Sequence, residues 1–210
     1  MHDFPRFLSL LTCAASAMAC GGGGESGGAV KADSAVRATV RNTPLPDSAF
    51  AVDLSTPERA LRTYWRIKSM SDTIGAPVDT TAARFQNWQR ADTVLQRIYG
   101  GDALAEYRRT RQPARRHEYL REILQVEPES ETRATVLARI RNVTPVPPGA
   151  EPDPYTARRR ADGDVYRYVF ERDSAGWKLV QVLTKSYPGD MTWTAYFQPE
   201  DRTVPTWTYP

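Results

Sequence analysis

The stretch 165–185, VYRYVFERDSAGWKLVQVLTK, decides the fold. In 165–172 the aromatics Tyr166, Tyr168 and Phe170 fall at every second position, the period of a strand with one buried face. Asp173-Ser174-Ala175-Gly176 interrupts with turn residues. Alternation then resumes in 177–185, with Trp177, Leu179, Gln181 and Leu183 expected on one side and Val180 and Val182 on the other. Two alternating runs joined by a short Gly-containing turn read as a β-hairpin.

Upstream, 132–143 alternates in the same way. Ala134, Val136, Ala138 and Ile140 share one face, and Arg133, Thr135, Arg139 and Arg141 share the other, as in a half-buried strand. Pro128-Glu129-Ser130-Glu131 is a turn. Residues 119–127 fit a strand, with Leu120, Leu124 and Val126 opposite Tyr119 and Ile123, and fit a helix as well. A proline-rich loop occupies 145–154.

Before residue 119 the period is helical. Ser55-Thr56-Pro57-Glu58 is a helix opening: a hydroxyl cap, Pro in the first turn and an acid at the positive end of the dipole. Leu61, Tyr64 and Trp65 follow at helical spacing. A second helix opens at Thr80 or Thr81 and carries Phe85, Trp88, Leu95, Ile98 and Tyr99 on an expected core face, with Gly100-Gly101 as its end. Asp102 can cap a short third helix bearing Leu104 and Tyr107. Helices first and antiparallel strands after indicate an α+β domain, with the helices covering one face of the sheet.

At the other end, 1–19 read as a signal peptide. Arg6 precedes an apolar run at 7–19, too short to span a bilayer and suited to a signal-peptide core. Ala17-Met18-Ala19-Cys20 offers small residues ahead of a cysteine, and Gly21-Gly22-Gly23-Gly24 begins a flexible tether. Three parts result: signal peptide 1–19, flexible linker 20–54, and a domain over 55–210 with an aromatic tail. The two cysteines, Cys13 and Cys20, leave at most one after processing, so no disulfide within the chain holds the domain.

Of 28 basic residues 24 are Arg, yet 25 acids interleave with them and the net charge is only +3. That pattern argues against nucleic acid as a partner, which calls for a basic stripe and a larger excess. Two basic runs stand out: Arg108, Arg109, Arg111, Arg115, Arg116 with His117, and Arg158-Arg159-Arg160. They are read as solvated faces; contact with anionic headgroups or an acidic partner is the sharper alternative.

The N-terminus resembles a bacterial lipoprotein signal, whose lipobox ends in a small residue followed by the lipid-modified Cys. That resemblance implies fatty-acid (palmitate-type) modification of Cys20, a membrane partner reached through the lipid, and a cell-envelope location. Thr56-Pro57-Glu58-Arg59-Ala60-Leu61-Arg62-Thr63-Tyr64-Trp65, the strand over 131–143, and the hairpin containing Gly176-Trp177-Lys178-Leu179 together resemble the NTF2-like superfamily as found in bacterial lipoproteins. The resemblance implies N-terminal helices on a curved antiparallel β-sheet, forming a cone with a pocket at its open end. Some members of that superfamily are isomerases or dehydratases with Asp, Tyr or His in the pocket; many others only bind ligands or partners.

No catalytic, cofactor or metal constellation is read from the residues. His117 is the single His after position 19, and no Cys pair, P-loop, G-x-S-x-G or G-x-G-x-x-G occurs. The expected role is a non-catalytic module binding a small molecule or a protein, with Tyr166, Tyr168, Trp177, Trp193, Tyr196 and Phe197 as the candidate ligand or partner surface. The aromatic tail adds Trp207 and Tyr209. An NTF2-like enzyme or a structural component of an envelope assembly are the other two readings. Asn142-Val143-Thr144 is a glycosylation sequon without expected consequence in a bacterial envelope protein.

Overall fold

Thr56 is extended, and its hydroxyl accepts a hydrogen bond from the Arg59 N–H at 3.2 Å; Pro57 and Glu58 occupy the first turn that follows. These residues open α1 (Pro57–Ile74), as their order in the sequence leads one to expect. The computed structural model describes residues 43–75, 82–110, 117–185 and 192–197. The segment read as a signal peptide, Cys20, most of the expected linker, the expected helix opening at Thr80 or Thr81, and Trp207 and Tyr209 lie outside the described residues.

One stripe of α1 buries Leu61, Tyr64, Trp65 and Ile67. Leu61 and Ile67 are wholly inaccessible, and burial of each such side chain contributes roughly 1.5–3 kcal/mol. In α2 (Ala82–Ile98) the buried stripe is Asn87, Ala91, Val94, Leu95 and Ile98. Phe85 and Trp88, expected on it, sit elsewhere. At 3.6 residues per turn, positions 85, 88, 92, 96 and 99 form a second stripe about a third of a turn round the helix. Phe85 is 37% exposed, and its ring stacks on that of Trp88 with centroids 6.2 Å apart.

Gly100-Gly101 is a junction between helices. Tyr99 forms an isolated parallel bridge with Leu179, the Gly100 N–H donates to the Leu179 carbonyl at 2.9 Å, and α3 (Gly101–Arg109) starts at once, with Asp102 in its first turn. A Cβ at Gly100 would lie 3.0 Å from the Lys178 Cβ and 3.3 Å from Val180 Cγ1, so the close approach of this junction to the sheet favours glycine.

Five strands follow: β1 (Tyr119–Pro128), β2 (Arg133–Asn142), β3 (Asp164–Asp173), β4 (Gly176–Lys185) and β5 (Trp193–Ala195). They form one open antiparallel sheet in the order β1-β2-β3-β4-β5. The segment that fitted both strand and helix is thus strand β1. Ala134, Val136, Ala138 and Ile140 are all buried against the helices, together with Tyr166, Tyr168 and Phe170 of β3. The fold is α+β. A further helix, α4 (Pro154–Asp162), interrupts the long connection between β2 and β3; Asp153 caps it by accepting from the Thr156 N–H at 3.0 Å.

Strict alternation fails in two strands. Ile123 pairs with Ala138 and Gln125 with Leu137, which leaves Leu124 as an extra residue in β1. Phe170 pairs with Leu179 and Val169 with Gln181, which leaves Val180 extra in β4. Each bulge moves the following residues to the opposite face. Trp177 and Leu179 therefore face the core as expected, whereas beyond Val180 it is Val182, opposite Tyr168, that is buried, and Gln181 takes the other side.

The packed unit also begins ahead of Ser55. Phe50 and Leu54 are buried in the core. The Leu54 carbonyl accepts from the Trp177 N–H at 2.9 Å at the start of β4, and a Cβ at Gly176, where φ is 115°, would come within 2.7 Å of that oxygen. Asn87, fully buried in α2, accepts from the Leu45 N–H at 3.0 Å and donates to the Thr43 carbonyl at 2.8 Å. Arg90 donates to the Leu45 carbonyl at 2.7 Å and places its guanidinium 4.0 Å from the centre of the Phe50 ring. The last dozen residues of what reads as linker are thus tied to α2 and β4, because Asn87 and Arg90 offer them the partners that water would otherwise supply.

Candidate functional site

The second stripe of α2 has a purpose in the architecture: it faces a cavity of about 430 Å³. Tyr64, Lys68, Ser71 and Asp72 come to it from α1, one helical turn apart. Phe85, Trp88, Asp92, Leu95 and Gln96 come from α2, and Tyr99 from the junction that follows. Glu106, Tyr107, Arg108 and Thr110 come from α3 and its end, and Tyr196 and Phe197 from the segment after β5.

Tyr99 is the hub of the wall. Its ring meets Tyr64 edge-on at 5.5 Å, Tyr107 at 4.9 Å, and Phe197 edge-on at 6.0 Å between centroids. Such arrangements suit the aromatic quadrupole. The hydroxyls of Tyr64 and Tyr99 share a hydrogen bond of 3.2 Å. Burial pushes both phenols above the ordinary tyrosine range, and Tyr168 behind them likewise. Tyr107 is raised by burial first and then by its hydrogen bond to Asp92.

The polar groups are organised in pairs. Lys68 Nζ reaches both oxygens of Asp72, at 2.5 and 2.7 Å, one turn along α1, with the two side chains only 16% and 21% exposed. Glu106 is ion-paired with Arg109 on α3. Asp92 accepts from the Tyr107 hydroxyl at 2.7 Å through Oδ1 and from Gln96 Nε2 at 2.8 Å through Oδ2. Gln181 supports the far wall: its Oε1 accepts from the Phe197 N–H at 2.8 Å, and its Nε2 donates to the Phe197 carbonyl at 2.7 Å. The side-chain amide thus pairs the backbone of Phe197 as a neighbouring strand would.

Of the six aromatics singled out from the sequence, Tyr196 and Phe197 line this cavity. Tyr166, Tyr168 and Trp177 are buried in the core between sheet and helices; Tyr168 packs edge-on against Trp65 at 5.8 Å. Trp193, opposite Lys185 in the β4–β5 pairing, lies on the other face of the sheet, with the Arg167 guanidinium 4.6 Å and the Lys185 ammonium 5.1 Å from its ring centres. Tyr64, Phe85, Trp88, Asp92, Tyr99 and Tyr107 join Tyr196 and Phe197 in the lining, beyond the residues that the sequence pointed to. Their signal is the helical stripe at 85, 88, 92, 96 and 99, a run of aromatics interrupted by one acid and one amide.

The basic runs are mostly spent on local structure. Arg158 pairs with Asp162 at 3.3 Å one turn along α4, while Arg159 pairs with Asp164 and Arg160 donates to the Thr144 carbonyl, holding α4 to its surroundings. Arg108 lines the cavity, Arg109 holds Glu106, and Arg111, Arg115 and Arg116 lie outside the described residues. His117 meets the Tyr119 ring edge-on at 6.1 Å, away from the cavity lining. The sequon is a turn: Asn142 Oδ1 accepts from the Thr144 N–H at 3.0 Å, and the Thr144 hydroxyl accepts from the Glu118 N–H at 2.8 Å.

Among the described residues, no group of three or more His, Cys, Asp or Glu side chains is placed to hold a metal ion, and no helix is long and apolar enough to cross a membrane. In comparisons with known proteins, no family model, no curated protein and no solved structure matches the chain.

Proposed function

We propose that this protein is a lipid-anchored ligand-binding module of the bacterial cell envelope, with an NTF2-like domain held off the membrane by its glycine-rich tether. The observation that carries the binding role is the cavity of about 430 Å³ between three helices and the segment after β5, walled by aromatic rings and holding a few fixed polar groups. That combination of size and lining is the usual one for small-molecule sites. Helices gathered on one face of an antiparallel sheet are consistent with the NTF2-like reading. The anchor rests on Ala19-Cys20 and the glycines that follow. Several acyl chains on one residue suffice for stable membrane attachment, since each buried CH₂ contributes about 0.8 kcal/mol.

An enzyme working in the same cavity would draw on the Tyr107–Asp92 pair. Both oxygens of that carboxylate already accept hydrogen bonds, from Tyr107 and Gln96, an arrangement suited to holding a fixed charge in place. Binding without chemistry is therefore the reading we keep.

Two measurements test it. Cells fed labelled palmitate should label the wild-type chain and leave the Cys20→Ala variant unlabelled; an unlabelled wild type removes the anchor. Mass spectrometry of the protein extracted from its own membranes under native conditions should show a retained small molecule that is lost from a Trp88→Ala variant. Equal retention by both would place the ligand elsewhere and remove the cavity from the proposal.

A further inference from the structure

Resting on the cavity's role as a binding site, we infer that its ligand is an organic cation: an amine or quaternary ammonium group carried on an apolar body. The geometry has two parts. The first is the wall of electron-rich rings: Tyr99 packs against Tyr107 and Phe197, Trp88 packs against Phe85, and all five line the same space. Ring faces and the space between them attract a cation through the aromatic quadrupole, Trp most strongly, and the attraction grows where water is excluded.

The second part is the charge balance of the lining. Lys68 is held by both oxygens of Asp72, and Glu106 by Arg109, so these pairs carry no net charge into the cavity. Asp92 is different. Its partners are the phenol of Tyr107 and the amide of Gln96, both neutral, and among the described residues no Lys or Arg nitrogen lies within ion-pair distance of it. A carboxylate fixed by two neutral donors, one helical turn from Trp88 and bonded to a tyrosine that stacks on Tyr99, is a counter-charge waiting beside aromatic faces. Arg108 lines the same cavity, and it would favour the opposite ligand charge. It sits on α3 near the helix end, whereas Asp92 is tied directly to the ring cluster, so Asp92 sets the preference at the aromatic wall.

The test uses three probes that share a phenyl ring and similar size: benzyltrimethylammonium, neutral N-benzylacetamide, and anionic phenylacetate. Each is titrated by calorimetry into the full-length protein in detergent. The cation should bind about tenfold or more tighter than the neutral probe, the measure of one cation–π contact reinforced by a carboxylate. In Asp92→Asn that preference should fall several-fold, to what the rings alone supply, while the affinity for N-benzylacetamide is retained, which also reports that the cavity is intact. Phe85→Leu, at a part-exposed ring on the cavity rim, should weaken the cation more than the neutral probe. If the neutral probe or phenylacetate binds as tightly as the cation, or if Asp92→Asn keeps the preference, the cation assignment is overturned and the binding cavity stands. If none of the three binds at millimolar concentration, both the assignment and the cavity's role as a binding site fall together.

Discussion

Replacing Asn87 by Ala tests whether the chain before Ser55 belongs to the fold. Asn87 is wholly buried, and its amide makes two hydrogen bonds to the backbone of the segment that precedes α1, to Leu45 N–H at 3.0 Å and Thr43 C=O at 2.8 Å. Each such bond contributes about 0.5–1.5 kcal/mol net, and a backbone group left buried without a partner costs about 1–3 kcal/mol. Thr43 is exposed and Leu45 half-buried, so on losing Asn87 these groups can turn to water, and the penalty for stranding them is only partly incurred. The expected cost is therefore about 2 kcal/mol. For a domain of this size that corresponds to a fall in Tm of roughly 4–8 °C. Hydrogen exchange locates the effect. In the wild type the Leu45 and Ala49 amides, the latter bonded to the Pro46 carbonyl at 3.0 Å, should be protected; in Asn87→Ala they should exchange faster, while the amides of β2 and β3 change only with global stability. An unchanged Tm together with unchanged exchange at Leu45 would refute the reasoning and return the domain boundary to Ser55.

The other predictions concern the cavity wall and its protons. Gln181→Ala removes both bonds to the backbone of Phe197 and should cost about 1–3 kcal/mol in denaturant unfolding, with faster exchange at the Phe197 amide; slow exchange there would mean that the amide does not hold the wall. Tyr64, Tyr99, Tyr107 and Tyr168 all have raised pKa values, so among the ten tyrosines these four should not ionise in the native protein when the absorbance of phenolate is followed up to about pH 11. Because their folded pKa values lie above the unfolded value near 10, their contribution to stability is complete below about pH 10 and is lost as pH rises through the folded values. Ten tyrosines titrating together near pH 10 without unfolding would contradict the buried cluster. At the other end, hydrogen bonds from Ser55, Thr135 and Thr156 hold Asp53, Glu129 and Asp153 below their ordinary values. Stability is then present above about pH 4 and is lost as pH falls through the depressed values, so thermal melts should shift downward below pH 4; a flat profile there would remove these contacts from the account.

How far the sequence could be read differs between sheet and cavity, for a physical reason. A strand with one buried face writes its burial as a period of two, and β2 and β3 pair without a break in register, so Ala134, Val136, Ala138 and Ile140 and the partners Tyr166, Tyr168 and Phe170 were legible residue by residue, whereas the burial of Thr135 and Val169 on the other face was not. In β4 the same rule holds up to Leu179 and then misassigns Gln181 and Val182, because one extra residue, Val180, costs little in a strand next to the sheet edge and leaves no mark on composition. In β1 the extra residue is Leu124, itself as apolar as its neighbours, and there the pattern suited a helix equally well.

The cavity was hidden by a different ambiguity. A helix that packs on a core and a helix that walls a pocket both place apolar residues three and four apart, so 85, 88, 95, 98 and 99 looked like one face. They are two faces meeting at Leu95, which is buried in the core and also lines the cavity. What separates them is the company each keeps on the helix surface. Asn87 shares its stripe with Ala91, Val94 and Ile98 and finds its partners in backbone, as a structural polar group does. Asp92 shares its stripe with Phe85, Trp88 and Tyr99 and finds its partners in side chains that themselves face empty space. A charged residue cannot be left unpaired in a filled core. An acid centred in an aromatic stripe therefore implies either a cation supplied by the fold or a space open to water and to ligands from outside. Here the fold supplies a phenol and an amide, and the second alternative is the one that the cavity leaves open.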